Sequence, residues 1–137
     1  VTFFVAGIAQ PKGSTRAFVP KGWTRAVITS ANPKLKDWQC AIASEARPLF
    51  AIPAPREVPV KLVVQYLLRR PKSLSKWVEC HTKKPDLDKL VRATKDALTG
   101  VAWVDDSQVI AVDAVKAYAR DRIGVSITVR YGAGATQ

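Results

Sequence analysis

Histidine occurs once in this chain of 137 residues and cysteine only twice. His81 has no evident nucleophile partner to form a triad with, so it reads as a surface residue or helper ahead of a catalyst. Cys40 and Cys80 stand far apart, with no second Cys or paired His at metal spacing near either. Neither a zinc site nor a disulfide framework is indicated, which fits a reducing cytoplasm. No apolar run approaches the roughly 18 residues of a membrane span. The opening VTFFVAGIAQPKG has no basic segment ahead of its apolar stretch, so a soluble, unexported, cytoplasmic protein with no membrane partner is expected. Internal repeats and an interdomain linker are also missing.

Acidic residues are scarce as well: 11 Asp and Glu face 22 Lys and Arg, for a formal charge of +11. A field of that sign favours polyanions, most simply nucleic acid, although membrane-surface binders and purely solubilising surfaces share such a balance. The 47% hydrophobic content is that of a chain able to bury a core, and the length fits one domain. A single domain over 1–131 with a loose tail over 132–137 is expected.

Thr2 to Ala9 reads as a buried strand leaving through Gln10-Pro11-Lys12-Gly13. Arg16–Val19 and Trp23–Thr29 flank Pro20-Lys21-Gly22, which predicts a hairpin. Asn32-Pro33 caps a first helix whose Leu35, Trp38, Ile42, Ala46 and Leu49 recur at helical spacing. Val58 to Leu68 alternates as a long strand. Residues 69–84 lose periodicity and read as a mobile loop, and a second helix runs from about Asp88 to Leu98, with Leu90, Val91, Thr94, Ala97 and Leu98 inward and Gly100 as its stop. A short strand at Val101–Val104 and two longer ones at Val109–Tyr118 and Gly124–Tyr131 complete an α+β fold: a mixed β-sheet with two principal helices. Trp38 and Trp103 fit core positions.

The scarce carboxylates gather in one stretch, KKPDLDKLVRATKDALTGVAWVDDSQ, residues 83–108. Asp86 and Asp88 straddle the start of the second helix. Asp105 and Asp106 end the short strand that follows it. The helix is about 15 Å long and a four-residue strand covers nearly that distance backwards, so the two pairs are expected to meet. Carboxylates converging without His or Cys suit a hard cation, Mg²⁺ or alternatively Mn²⁺, which can activate water for phosphodiester hydrolysis. Arg92 and Asp96 follow Asp88 at spacings of four, on one solvent-facing stripe, where Arg92 can meet a phosphate and Asp96 orient it. Taken singly, Asp88 is an ordinary helix cap, Asp105-Asp106-Ser107 an ordinary turn and Arg92 with Asp96 an ordinary surface pair.

Two basic segments carry aromatics. Lys12, Arg16, Lys21 and Arg25 surround Phe18 and Trp23 with no acidic residue among them, and Arg69, Arg70, Lys72, Lys76, Lys83 and Lys84 surround Trp77 just before the aspartates. Cations on phosphates with an aromatic free to stack suit a DNA surface, whereas the same aromatics packed inward would leave merely solvated lysines. Lys89 is a further candidate contact. Trp77 suits either a wedge at a branch point or a buried anchor beneath its loop.

Lys84-Pro85-Asp86-Leu87-Asp88, Leu90, Asp96-Ala97-Leu98-Thr99-Gly100 and Asp105-Asp106-Ser107-Gln108 together resemble the signature of the RusA family of Holliday junction resolvases, in order and spacing. The resemblance implies a RusA-like, homodimeric, magnesium-dependent endonuclease that nicks branched DNA, four-way junctions or forks, and is often encoded by phages or prophages. It implies metal binding at Asp86, Asp88 and Asp106, with Asp105 as their acidic neighbour. The family's catalytic lysine falls at Arg92 here, and Lys89 stands where the family usually has asparagine. An arginine stays protonated, so a part in phosphate stabilisation survives the exchange and one as proton donor is weakened. A twofold dimer presents two equivalent sites to the two equivalent strands of a junction. The competing reading is a branch-binding module that does not cut; four carboxylates in a basic surface count against it.

Overall fold

Every second residue from Val60 to Leu68 is apolar and buried, which turns one face of a strand into a core wall. The surrounding fold is seen in a computed structural model that describes residues 1–13, 15–19, 21–30 and 32–136, the side chains of 15–18, 27–30 and 136 excepted. In chain order the elements are β1 (Thr2–Ala6), β2 (Thr15–Phe18), β3 (Val27–Ser30), α1 (Leu35–Ala46), β4 (Val60–Leu68), α2 (Leu87–Leu98), β5 (Val109–Tyr118) and β6 (Gly124–Tyr131). The main sheet has the order β1-β6-β4-β5. Its β1–β6 and β4–β6 pairs are antiparallel and its β4–β5 pair parallel, from Val60 opposite Val109 to Leu68 opposite Tyr118. The fold is therefore α+β with a mixed sheet and two helices, as expected. The predicted hairpin is present as a separate ribbon, β2 against β3.

Parallel neighbours cannot be joined by a tight turn and need a crossover. Here α2 is that crossover, lying on the same face of the sheet as α1. Leu90 and Leu98 are fully buried, and Thr94, also buried, bonds the Tyr66 hydroxyl at 2.7 Å and donates to Leu90 O at 3.1 Å. Burial holds the Tyr66 phenol far above its ordinary pKa, so it stays a neutral link between helix and sheet. Trp38 and Trp103 are core residues as expected.

Three expectations are corrected. Asn32 does not cap α1 directly: its Oδ1 accepts from Lys34 N at 3.1 Å and the helix begins at Leu35, while its amide nitrogen holds the Pro11 carbonyl at 2.9 Å. Val101–Val104 is no strand. Gly100, at φ 86°, turns the chain sharply after α2, and Val101 and Ala102 both donate to Leu98 O. Within the run Ala102 and Trp103 are fully buried, Trp103 plugging the core with its indole N–H on Thr99 Oγ1 at 3.1 Å, while Val104 is exposed. Gly132–Thr136, expected as part of a loose tail, forms a turn of 3-10 helix with Ala135 buried and Gly132 N donating to Pro59 O. Gln137 lies outside the described residues.

Where β6 starts, Gly124 faces β1 so closely that an added Cβ would sit 2.2 Å from Val5 O and 2.6 Å from the Phe4 ring. Backbone cannot yield as a flexible side chain does. Gly124→Ala should therefore lose about 2 kcal/mol or more of stability in urea denaturation; a loss below about 0.5 kcal/mol would show that β1 has room to shift.

Candidate active site

The chain is held by hydrogen bonds just before it enters α2. Lys116, near the far end of β5, donates to the carbonyls of Lys83 and Pro85 at 2.5 and 3.0 Å. Asp86 then takes the cap position with extended backbone, and its carbonyl accepts from Leu90 N. Its carboxylate makes no capping hydrogen bond and points to solvent, 3.9 Å from the Lys89 ammonium. Asp88 is exposed in the first turn and makes no ion pair among the described residues. Both carboxylates sit at the positive end of the helix dipole, which favours their charge.

Asp88, Arg92 and Asp96 are all exposed along one stripe of α2, as expected. Asp96 does not orient Arg92, however. It binds the Lys12 ammonium at 2.6 Å, while Lys12 N donates to Lys89 O at 3.0 Å. The Gln10–Gly13 segment is thereby laid along the acidic stripe. Both partners are about two-fifths exposed, so the ion pair positions the loop more than it stabilises the fold.

Asp105 and Asp106 lie at the other end of α2. Asp105 caps a turn of 3-10 helix, Asp106–Gln108, by accepting from Ser107 N at 3.1 Å and from the Ser107 hydroxyl. Those two bonds, the hydroxyl's first, hold its carboxyl below the ordinary value. Asp106 is exposed and lies 3.3 Å from the Lys95 ammonium. Lys95 follows Asp88 by seven residues, about 10 Å along the axis. The expected meeting of the two acidic pairs within one chain therefore does not occur. Among the described residues, no group of three or more Asp, Glu, His or Cys is placed to hold a metal. The cause is the missing return strand: the chain stays at the C-terminal end of α2 and only β5 itself runs back along the helix.

Gln108, named in the sequence only as the end of the signature string, is what fixes Asp105 and Asp106. Its buried amide accepts from Val104 N and Asp105 N at 2.9 and 2.8 Å and donates to the carbonyls of Ala54, Pro55 and Val58 at 3.2, 2.7 and 3.0 Å. Its signal was legible in the sequence, because Asp105 and Gln108 have the three-residue spacing of a capping box. No sequence pattern pairs Lys95 and Lys116 with their distant partners.

The basic candidates separate into free and engaged groups. Lys21, Arg25, Arg69, Lys72, Lys76, Lys83 and Lys84 are exposed. Arg70 is structural: it donates to Val78 O at 2.8 Å and Ser75 O at 2.6 Å and stacks on Tyr118, tying the 70–80 loop. Lys12 and Lys89 face carboxylates. The side chains of Arg16 and Phe18 lie outside the described residues. Trp77 is 81% exposed and Trp23 61%, which excludes burial of either beneath its loop. His81 is no free surface residue: it stacks on Tyr118 at 4.6 Å, and burial first, then Lys116, hold its pKa below the ordinary value. Arg120 and Arg122 join Arg70 and Lys76 around a cleft beside the ends of β4 and β5.

For a hard cation, Asp86 and Asp88 are a sufficient pair of carboxylates only if water and substrate phosphate complete the shell, as Mg²⁺ commonly allows. Asp105 and Asp106 of the same chain cannot join them. The positioning part of Gln108 is open to test. Gln108→Leu keeps the volume and strips the bonds to two N–H groups and three carbonyls, so denaturation should show a loss of roughly 3 kcal/mol; a loss under about 1 kcal/mol would mean that the turn holds without it.

Against this geometry, the chain can be compared with known proteins. Over 134 residues, 93% of this chain and 94% of the other, the chain is 28% identical to a Bacillus subtilis (strain 168) protein named "Uncharacterized protein YqaN". Residues 9–130, which contain α1, α2, every acidic residue discussed and most of the main sheet, match the family described as "Endodeoxyribonuclease RusA", so the chain belongs to the RusA endodeoxyribonuclease family.

Proposed function

We propose that the protein is a divalent-metal-dependent, structure-selective endodeoxyribonuclease that resolves four-way junctions or related branched DNA by paired nicks. The observation that carries the reading is the placement of Asp86 and Asp88, two exposed carboxylates at a helix start, directly after the exposed Lys83 and Lys84 and one turn before Arg92. In a strongly basic chain such carboxylates oppose DNA binding unless a cation sits between them and the phosphates. Asp86 and Asp88 would hold Mg²⁺ or Mn²⁺, which when bound supplies an activated water and charge stabilisation at the phosphate. Arg92 offers a permanently charged contact to a neighbouring phosphate oxygen, and Lys83 and Lys84 guide the backbone toward the helix start.

Asp106, with Asp105 beside it, enters the same site if the enzyme is a twofold dimer, in which the C-terminal end of one α2 lies against the N-terminal end of its partner's. Dimerisation then supplies both the two cuts that a junction requires and the carboxylates that one chain keeps apart. That separation also supports a second reading, a module that binds branched DNA without cutting it.

Cleavage of a labelled four-way junction, beside linear duplex of the same sequence, tells the two apart. With Mg²⁺ the wild-type protein should nick only the junction, and EDTA should abolish the reaction. Asp88→Asn should lower the rate by more than the 10- to 100-fold typical of losing a group behind a metal ligand, roughly speaking, while junction affinity holds or rises. Tight binding without cutting in either Mg²⁺ or Mn²⁺ would establish the binding module instead. Replacing Lys83 and Lys84 together by Ala should reduce the slope of log affinity against log salt by about two; an unchanged slope would remove those lysines from the DNA surface.

A further inference from the structure

The loop between β4 and α2 is built to keep its largest apolar side chain in water. Arg70 donates to Ser75 O at 2.6 Å and to Val78 O at 2.8 Å, and Val78 N donates to Ser75 O at 3.0 Å, which closes the turn between them. Arg70 is itself anchored: its guanidinium lies 5.2 Å from the centroid of the Tyr118 ring, on which His81 also stacks. The clamped turn displays Trp77, 81% exposed, between Lys76 and Val78. An indole so placed forgoes the stabilisation that burial of its ring would bring, and the clamp maintains that exposure.

Lys76 and Val78, on either side of Trp77, line a cleft of about 740 Å³. Leu67 and Ala117, directly opposed on β4 and β5, line it too. Their neighbour Tyr66 points at α2, where it bonds Thr94, so the cleft opens on the sheet face that the two helices leave uncovered. Arg70, Lys76, Arg120 and Arg122 bring four positive charges to it against the carboxylates of Glu79 and Asp121. Arg120 is exposed and makes no ion pair among the described residues. Arg122 is exposed as well, its guanidinium 3.7 Å from the Phe4 ring centroid, a contact that steadies the group without neutralising it. A basic groove beside an exposed aromatic suits unpaired nucleic acid, with cations on the phosphates and a base stacked on the ring. Paired bases offer the indole no free face, and the volume is that of a small-ligand pocket.

We propose that this cleft is a single-strand site: Arg120 and Arg122 contact phosphates, Trp77 stacks an unpaired base, and the loop leads the strand past Lys83 and Lys84 toward Asp86 and Asp88. A fork with a single-stranded arm then binds more tightly than a fully paired four-way junction, because only the fork offers the cleft an unpaired strand. The delivery of that strand to the aspartates rests on the nuclease reading above; the selectivity of the cleft for unpaired strand does not.

Binding is measured with the full chain in EDTA, so that no strand is cut, on labelled oligothymidylate, a duplex of the same length, a fork with a single-stranded arm and a paired four-way junction. Trp77→Ala should weaken binding of oligothymidylate and of the fork about 10-fold and leave the duplex unchanged, whereas Trp77→Phe, which keeps a ring to stack on, should retain most of the affinity. Arg120→Ala with Arg122→Ala should lower the slope of log affinity against log salt for oligothymidylate by about 1.4. An oligothymidylate affinity that ignores Trp77→Ala would overturn the proposal. So would a loss shared equally by the duplex, which would make the cleft a surface for a duplex arm. Trp77-dependent strand binding by a protein that cuts no branched DNA with Mg²⁺ or Mn²⁺ would uphold the cleft and remove the nuclease reading. Junction cutting together with an oligothymidylate affinity indifferent to Trp77 would do the reverse.

Discussion

The parallel pairing of β4 with β5 is the constraint from which the rest of the molecule follows. Two parallel neighbours require a crossover, and the residues between Leu68 and Val109 supply it as one basic loop, α2 and one tight turn. The loop delivers Asp86 and Asp88 to the sheet end where β4 and β5 finish. The turn leaves Asp105 and Asp106 at the end where β5 starts. Nothing in a chain so arranged can bring the pairs together, since the helix between them is about 18 Å long. The same topology makes β5 an edge, because β4 already has β6 on its other side.

Within this frame the carboxylates are not left uncompensated. Lys89 attends Asp86, Lys12 attends Asp96 and Lys95 attends Asp106. These pairs are largely exposed and contribute little to stability. Their value is positional: Lys12 draws the Gln10–Gly13 segment onto α2, and Lys95 keeps Asp106 turned toward the helix flank that also bears Asp88. Asp88 makes no ion pair among the described residues and stands at the helix end where a bound cation and a phosphate would have the most to gain. Around it, Lys83, Lys84 and Arg92 provide the charge that a DNA backbone requires, while Trp77 stays exposed on the loop above.

Much of this was legible in the residues because it is local. Alternation over Val60–Leu68 and Gly124–Tyr131, the helical recurrence of Leu90, Thr94, Ala97 and Leu98, and the Pro-Asp start of α2 each report their own backbone. The spaced string of acids and glycine identified the family for the same reason. What escaped is nonlocal or degenerate. Four apolar residues, Val101–Val104, read alike as a strand or as a turn that seats Trp103 in the core, and only the fold decides. Lys12 finds Asp96, and Lys116 finds Pro85, across separations that periodicity does not encode. The direction of the return after α2 was the costly case, because it decides whether four aspartates form one site or the halves of two.

A mixture of two inactive chains tests that last point most directly. Asp88→Asn and Asp106→Asn proteins, each inactive on a four-way junction with Mg²⁺, are co-refolded and assayed together. If the acidic site is shared between chains, the mixed dimer holds one site with both substitutions and one with neither. Activity should reappear, as single nicks in place of paired ones. If each chain carries its own complete site, both sites in the mixed dimer are damaged. A mixture as inactive as its components, in which mixed dimers are shown to form, would contradict the account.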